Sequence, residues 1–286
     1  MKISLTVIVF LLTLQSNLYS QNKTAYKIFN AKGKSVSYKK LIKSLSTADI
    51  VLFGEYHDNP IVHWLQFEVT KDLDENSKLI LGAEMLERDN QIYLDKYLNE
   101  EIGFAAFDSM SRLWPNYYTD YSPLVDYAKR NNIAFVATNI PRRYARMVFR
   151  KGGFSALDSL TETEKSYMAP LPIKFDIELS QYKNMLNMMG DHGSDDIVKA
   201  QAIKDATMAY FILESYKNDH TFIHFNGAYH SDFYEGILWY LKQKNNDLVY
   251  KTISTVNQEK VKKLNKDNLQ RADFIICVDN DMTKTH

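Results

Sequence analysis

The stretch that decides the fold is Ile50-Val51-Leu52-Phe53-Gly54-Glu55-Tyr56-His57, an apolar run that ends in Gly-x-x-His. A second stretch repeats its layout. Thr221-Phe222-Ile223-His224-Phe225-Asn226 leads into Gly227-Ala228-Tyr229-His230. A short unbroken apolar run reads as a strand buried on both faces, as in a parallel sheet. A glycine directly after the run lets the backbone turn sharply, so the next polar side chains project over the sheet edge. Two histidines delivered in the same way, from segments about 170 residues apart by this spacing, point to one site assembled by the fold.

Working outward, further strands are expected at 79–81, 133–137, 248–253 and 274–278, with helices at Tyr38–Leu45, 60–73, 89–98 and Ser180–Met189. Asn59 is placed to cap the helix that opens with Pro60, where the missing proline N–H has no partner to lose. Strands alternating with helices predict an α/β fold, a mostly parallel central sheet flanked by helices. Residues 152–205 break that rhythm and carry no strand signal. They read as a smaller helical insertion or lid within a single domain spanning 21–286. Lys2 followed by the apolar run 3–14 and the more polar 15–20 has the layout of a cleaved export leader over residues 1–20. The run is short for a membrane span.

Composition narrows the function classes. Apolar residues make up 45% of the 286, enough for an ordinary core, and 35 Lys+Arg balance 35 Asp+Glu, which gives no electrostatic case for nucleic acid. The one cysteine, Cys277, lies in an apolar strand and cannot form an internal disulfide. It also leaves no lipid-attachment cysteine at the end of the leader.

The carboxyl ends of the expected strands carry Glu55 and His57, Glu84, Asn139 with Arg142 and Arg143, and Tyr229 with His230. Ligands of open parallel sheets bind there. Two carboxylates and two imidazoles in one cleft suit a divalent transition metal such as Zn, Mn or Co, with His57, Glu84 and His230 as ligands. They equally suit metal-free proton transfer between histidine and glutamate. The bland alternative is that such histidines cap helices or bond carbonyls. His63 belongs either beside the cleft or on the surface, and His224 reads as a satisfied core histidine. The aromatic group Trp114 to Tyr121 and the methionines 185, 188 and 189 are the walls a flat iron-bearing ligand would need. Ordinary core packing explains them as well. Arginines 142 and 143 are the residue type that holds propionates.

The strings VLFGEYHDNPIVHWLQFEV (51–69), GAEMLERDNQ (82–91), LWPNYYTDYSPLVDYAKRNNIAFVATNIPRR (113–143), QAIKDATMAYFI (201–212) and HFNGAYHSDFYEG (224–236), in that order, resemble the ChaN-like haem-binding lipoproteins. That family is similar in turn to the Tiki proteases and the erythromycin esterases. Tiki enzymes share the paired Gly-x-x-His turns and a separate glutamate, matched here by 54–57, 227–230 and Glu84. The resemblance implies an exported, periplasmic or secreted protein of bacterial iron acquisition. It implies noncovalent haem binding near a homodimer interface, a tyrosine among the iron ligands, and a haem receptor or transporter of the cell envelope as partner. Tyr56, Tyr118 and Tyr229 are the candidate tyrosines, with Asn139, Arg142 and Arg143 as further cofactor contacts. The alternative is a metal-dependent hydrolase acting on a peptide, ester or amide, with Glu55, His57, Glu84 and His230 as its catalytic set.

Overall fold

In a computed structural model, residues 23–190 and 194–285 are described; the expected leader, His192 and His286 lie outside them. Seven strands form one sheet in the order β1-β7-β6-β2-β5-β3-β4. They are β1 (Tyr26–Asn30), β2 (Ile50–Glu55), β3 (Lys78–Glu87), β4 (Ala134–Asn139), β5 (His220–Gly227), β6 (Tyr250–Gln258) and β7 (Phe274–Asp279). All neighbours pair parallel except β1, which runs antiparallel to β7 at one edge. The α/β class with a mostly parallel sheet is therefore the observed fold. The added edge strand β1 lies in a stretch too polar to read as a strand; pairing with the buried β7 supplies what its own sequence lacks.

Every residue of β2 is buried, as its unbroken apolar run requires. One face of the sheet packs on α1 (Tyr38–Leu45), α2 (Pro60–Asp74), α3 (Gln91–Leu98), α4 (Phe104–Met110) and α5 (Ser122–Arg130), through a large cluster that includes Phe53, Val69, Leu124 and Phe225. The other face packs on α9 (Asp195–Ser215) and α10 (Ile237–Lys244), through Leu52, Met208, Phe222 and Leu241. Between β4 and β5 the chain adds α6 (Arg142–Arg150), α7 (Glu162–Lys165) and α8 (Ser180–Met189), and among the described residues that stretch holds no strand. α9 begins inside the expected insertion and continues to Ser215 as a layer helix against β4, α6 and α10. Among the described residues no helix is long and apolar enough to cross a membrane.

The register fixes the geometry of the site. β5 lies between β2 and β3, with Glu55 opposite Gly227 and Ala83 opposite Phe225. The strand expected at 79–81 is longer than its apolar core, and its pairing with β4 shifts between Ala83 and Glu87. Glu84 thus sits at an irregularity within β3 rather than beyond its end. Such bulges re-aim a side chain, and this one brings the carboxylate of Glu84 to β5.

Candidate functional site

Glu55, the last residue of β2, is buried and surrounded by donors. Its Oε1 lies 2.8 Å from His57 Nδ1 and accepts the Tyr121 hydroxyl at 2.9 Å, while Oε2 accepts Gln66 Nε2 at 2.5 Å. The helix start explains the Gln66 contact. Asn59 Oδ1 accepts from the N–H groups of Ile61 and Val62, which fixes where α2 begins. His63 and Gln66, three residues apart on that helix, then share the face toward Glu55. His63 Nε2 stands 3.5 Å from Glu55 Oε1 and its Nδ1 3.5 Å from Asp120 Oδ1, contacts without hydrogen-bond geometry. Burial alone would raise the Glu55 carboxyl, but its bond to His57 and the nearby imidazole of His63 outweigh that and hold it at about 2. Burial works to lower His57, and the bond to Glu55 with the charge of Glu84 raises it overall. Each partner therefore favours the charged form of the other.

The second half is built around His230. Glu84 Oε2 accepts the Gly227 backbone N–H at 2.7 Å and Oε1 lies 3.0 Å from His230 Nε2. The other imidazole nitrogen, Nδ1, lies 2.5 Å from Asp205 Oδ1, and Asp205 Oδ2 accepts the Tyr182 hydroxyl at 2.9 Å. Burial would depress His230, yet the carboxylates of Glu84 and Asp205 raise it to about 9. Burial would raise Glu84, and His230 with His57 takes it well below the usual carboxylate range.

The halves meet at Gly227. A Cβ added there would lie 2.8 Å from His57 Nε2 and 3.5 Å from Glu84 Oε2, so both side chains border the same bare backbone. Glycine is needed here for close approach, not for its φ. Along the sheet edge, carboxylates and imidazoles alternate: Asp205, His230, Glu84, His57, Glu55, His63, Asp120. The fold therefore brings Glu55, His57, Glu84 and His230 together. The expected metal set does not form. Both nitrogens of His230 face carboxylates, and among the described residues no group of three or more His, Cys, Asp or Glu is disposed to hold a metal ion. His224, inside β5, lies 2.7 Å from the Thr138 hydroxyl and 3.1 Å from Asn226 Oδ1, and burial takes it down to about 4.

This geometry has known relatives. A family model described as haem-binding uptake, Tiki superfamily, ChaN matches residues 41–241. The chain belongs to the ChaN family. Among solved structures, ChaN of Campylobacter jejuni, whose structure is described as showing cofacial haem binding, superposes with a TM-score of 0.68 at 17% identity, covering 90% of this chain and 98% of that one. A succinoglycan biosynthesis protein superposes at 0.53 with 12% identity, covering 84% and 90% of the two chains. At these identities the likeness is one of fold. RETICULATA-RELATED 5, a chloroplastic protein of Arabidopsis thaliana, is 24% identical over 195 residues, which are 62% of this chain and only 26% of that protein's length.

For a ChaN-family chain, the residues must be tested against haem. A cleft of 810 Å³ opens beside the acid–base row, lined by Glu84, Trp114, Asn139, Ile140, Arg142 and Lys204 among others. The Trp114 ring stands edge-on to His57 at 4.8 Å between centroids, which joins cleft and row. Its size suits a small-molecule ligand. Apolar and cationic residues lining one cleft fit the two chemical ends of haem. Asn139 holds the β3 irregularity through Nδ2, which donates to the Glu84 carbonyl at 3.0 Å, and its buried Oδ1 has no donor among the described residues. Arg143 is engaged by Asp89 at 2.6 Å and by the Tyr144 hydroxyl at 3.0 Å, whereas Arg142 has no ionic partner among the described residues. Of the candidate tyrosines, Tyr229 donates its hydroxyl to the Gln181 carbonyl. Tyr118 is 73% exposed and Tyr56 37% exposed, each able to meet a ligand from outside. Tyr117 and Tyr121 of the aromatic cluster are interior residues, and Met188 is solvent-facing.

Asp205, Gln66, Asp120 and Lys204 were not foreseen, and Tyr121, expected only as part of an aromatic wall, instead donates its hydroxyl to Glu55. Two of them left a trace in the sequence. Asp205 is an acid set between the apolar Ala202-Ile203 and the run Ala206 to Ile212 of α9, and Gln66 follows His63 at helical spacing.

Proposed function

We propose that this ChaN-family protein is exported and binds haem noncovalently in the cleft at the carboxyl ends of the sheet strands, as part of haem or iron acquisition. The observation that carries the reading is the cleft itself, which the apolar Trp114 and Ile140 line together with the cationic Arg142 and Lys204. Family membership supports it, and the Lys2-plus-apolar leader supports export. Haem, when bound, supplies the iron and a dianionic edge. The chain supplies the apolar wall, the cations and an exposed phenol, Tyr118 or Tyr56, for the iron. Titration with hemin should give a shifted Soret band that saturates at fixed stoichiometry, and Tyr118→Phe or Tyr56→Phe should alter its position. Absorbance that grows without saturation, with both variants like wild type, would refute the reading.

A second reading is favoured by one observation, the two carboxylate–imidazole pairs, one buried and one half-buried, that meet at Gly227. Oppositely perturbed acids and bases in one cleft are suited to general acid–base hydrolysis of an ester or amide without a metal ligand set. Hydrolysis that persists in chelator and is abolished in His57→Asn would support it. Loss of activity in chelator with His57→Asn unaffected would refute it.

A further inference from the structure

The cations of the cleft are not equivalent, and sorting them identifies a subsite. Arg112 Nε donates to Glu87 Oε2 at 2.9 Å, and its terminal nitrogen meets Asp89. Arg143 is bound to the other oxygen of Asp89 at 2.6 Å. Glu87 and Asp89 thus neutralise Arg112 and Arg143, two anions for two cations. Glu84 is already matched by His230 and by the Gly227 N–H. Arg142 and Lys204 remain, and neither has an ionic partner among the described residues although both line the cleft. Lys204 is partly buried.

Both are placed by rigid backbone. Lys204 precedes Asp205 on α9 and follows Gln201 by three residues, and Gln201 and Asp205 are both held at His230. That spacing puts Lys204 beside the acid–base row. Arg142 opens α6 directly after Ile140-Pro141, where the proline fixes the entry of the chain. Trp114, Pro115 and Ile140 line the same cleft.

We propose that Arg142 and Lys204 form a carboxylate-binding edge, made for a ligand with an apolar planar body and carboxylates on one side, and that Arg143 and Arg112 take no part. This inference rests on the haem reading and assigns the two propionates to these two side chains. A neutral hydrophobe would leave both cations uncompensated, and a small phosphate would leave the tryptophan wall empty.

The test compares hemin with its dimethyl ester, which keeps the iron and the ring but lacks both negative charges, in the same dilute detergent with the full chain. Wild type should bind hemin tighter than the ester. Arg142→Ala and Lys204→Ala should each weaken hemin about tenfold or more, the scale of one charge-assisted hydrogen bond, and leave the ester unchanged. Arg146→Ala, on α6 but outside the cleft lining, controls for general charge loss. Unchanged far-ultraviolet dichroism and urea midpoints confirm that the variants fold. Equal affinity of wild type for hemin and ester, or equal hemin affinity of wild type and both variants, overturns the subsite while leaving haem binding standing. Absence of any Soret shift with either compound removes the haem reading and the subsite with it.

Discussion

Replacing Glu84 by glutamine should destabilise the protein in a pH-dependent way, because one amide oxygen cannot do the work of two carboxylate oxygens. Glu84 accepts the Gly227 N–H with Oε2 at 2.7 Å and meets His230 Nε2 with Oε1 at 3.0 Å. If the introduced amide keeps the Gly227 bond through its oxygen, its NH₂ faces a protonated imidazole, donor against donor. His230 is raised from its ordinary 6.5 to about 9, against the effect of burial, by Glu84 and Asp205 together. At about 1.4 kcal/mol per tenfold change in proton affinity, the two carboxylates supply roughly 3 kcal/mol. Glu84 carries part of this, and the donor–donor clash adds the cost of a lost charged hydrogen bond, so the substitution should cost about 3 kcal/mol at pH 7. The sign with pH follows from a raised histidine. Its stabilisation is fully present below the unfolded value near 6.5 and is lost as pH rises through about 9. Above that, a neutral His230 that keeps Nδ1–H toward Asp205 turns its Nε2 lone pair to the introduced amide and accepts from its NH₂. Urea unfolding of wild type and Glu84→Gln from pH 6 to 10 should therefore show a difference that shrinks by at least half across the series. A difference that stays constant, or is under about 1 kcal/mol at pH 7, would refute a charged His230 held between two carboxylates.

Glu55 should govern the acid limb. Its carboxyl is held at about 2 in the folded chain against an ordinary 4.5, so its stabilisation is present above 4.5 and is lost as pH falls toward 2. Glu55→Gln should flatten the fall in unfolding free energy below pH 4.5 by about 3 kcal/mol, and parallel curves for the two proteins would count against the pairing. Gly227→Ala places a methyl 2.8 Å from His57 Nε2 and should cost about 1–3 kcal/mol by urea unfolding while perturbing the His57 ring resonances. Full stability with unchanged resonances would show that the two halves of the site do not touch.

Much of the fold was legible because it is written in local pattern. The unbroken apolar runs of β2 and β5 declare strands buried on both faces, and Asn59-Pro60 declares where α2 starts. β1 was not legible. Its five residues are strand only because β7 offers an edge to pair with. At the site, His57, His230 and Glu84 could be picked out by their place after apolar runs, but the partners that give them their charge states could not. Asp205 reaches His230 from a helix 25 positions away, and Tyr121 reaches Glu55 across 66. Sequence spacing alone made His57, Glu84 and His230 a metal set. Three-dimensional pairing instead gave both nitrogens of His230 to carboxylates.

By itself, the sequence determined the α/β class, the paired Gly-x-x-His turns and the residue types available at the strand ends, because hydrophobic periodicity and turn chemistry act over a few residues. Tertiary structure alone decided which carboxylate meets which imidazole, which arginines of the cleft are ion-paired among the described residues, and that Gly227 is the point of contact. Those outcomes depend on strand order and on a shift of register in β3, and neither is encoded in any local stretch of the chain.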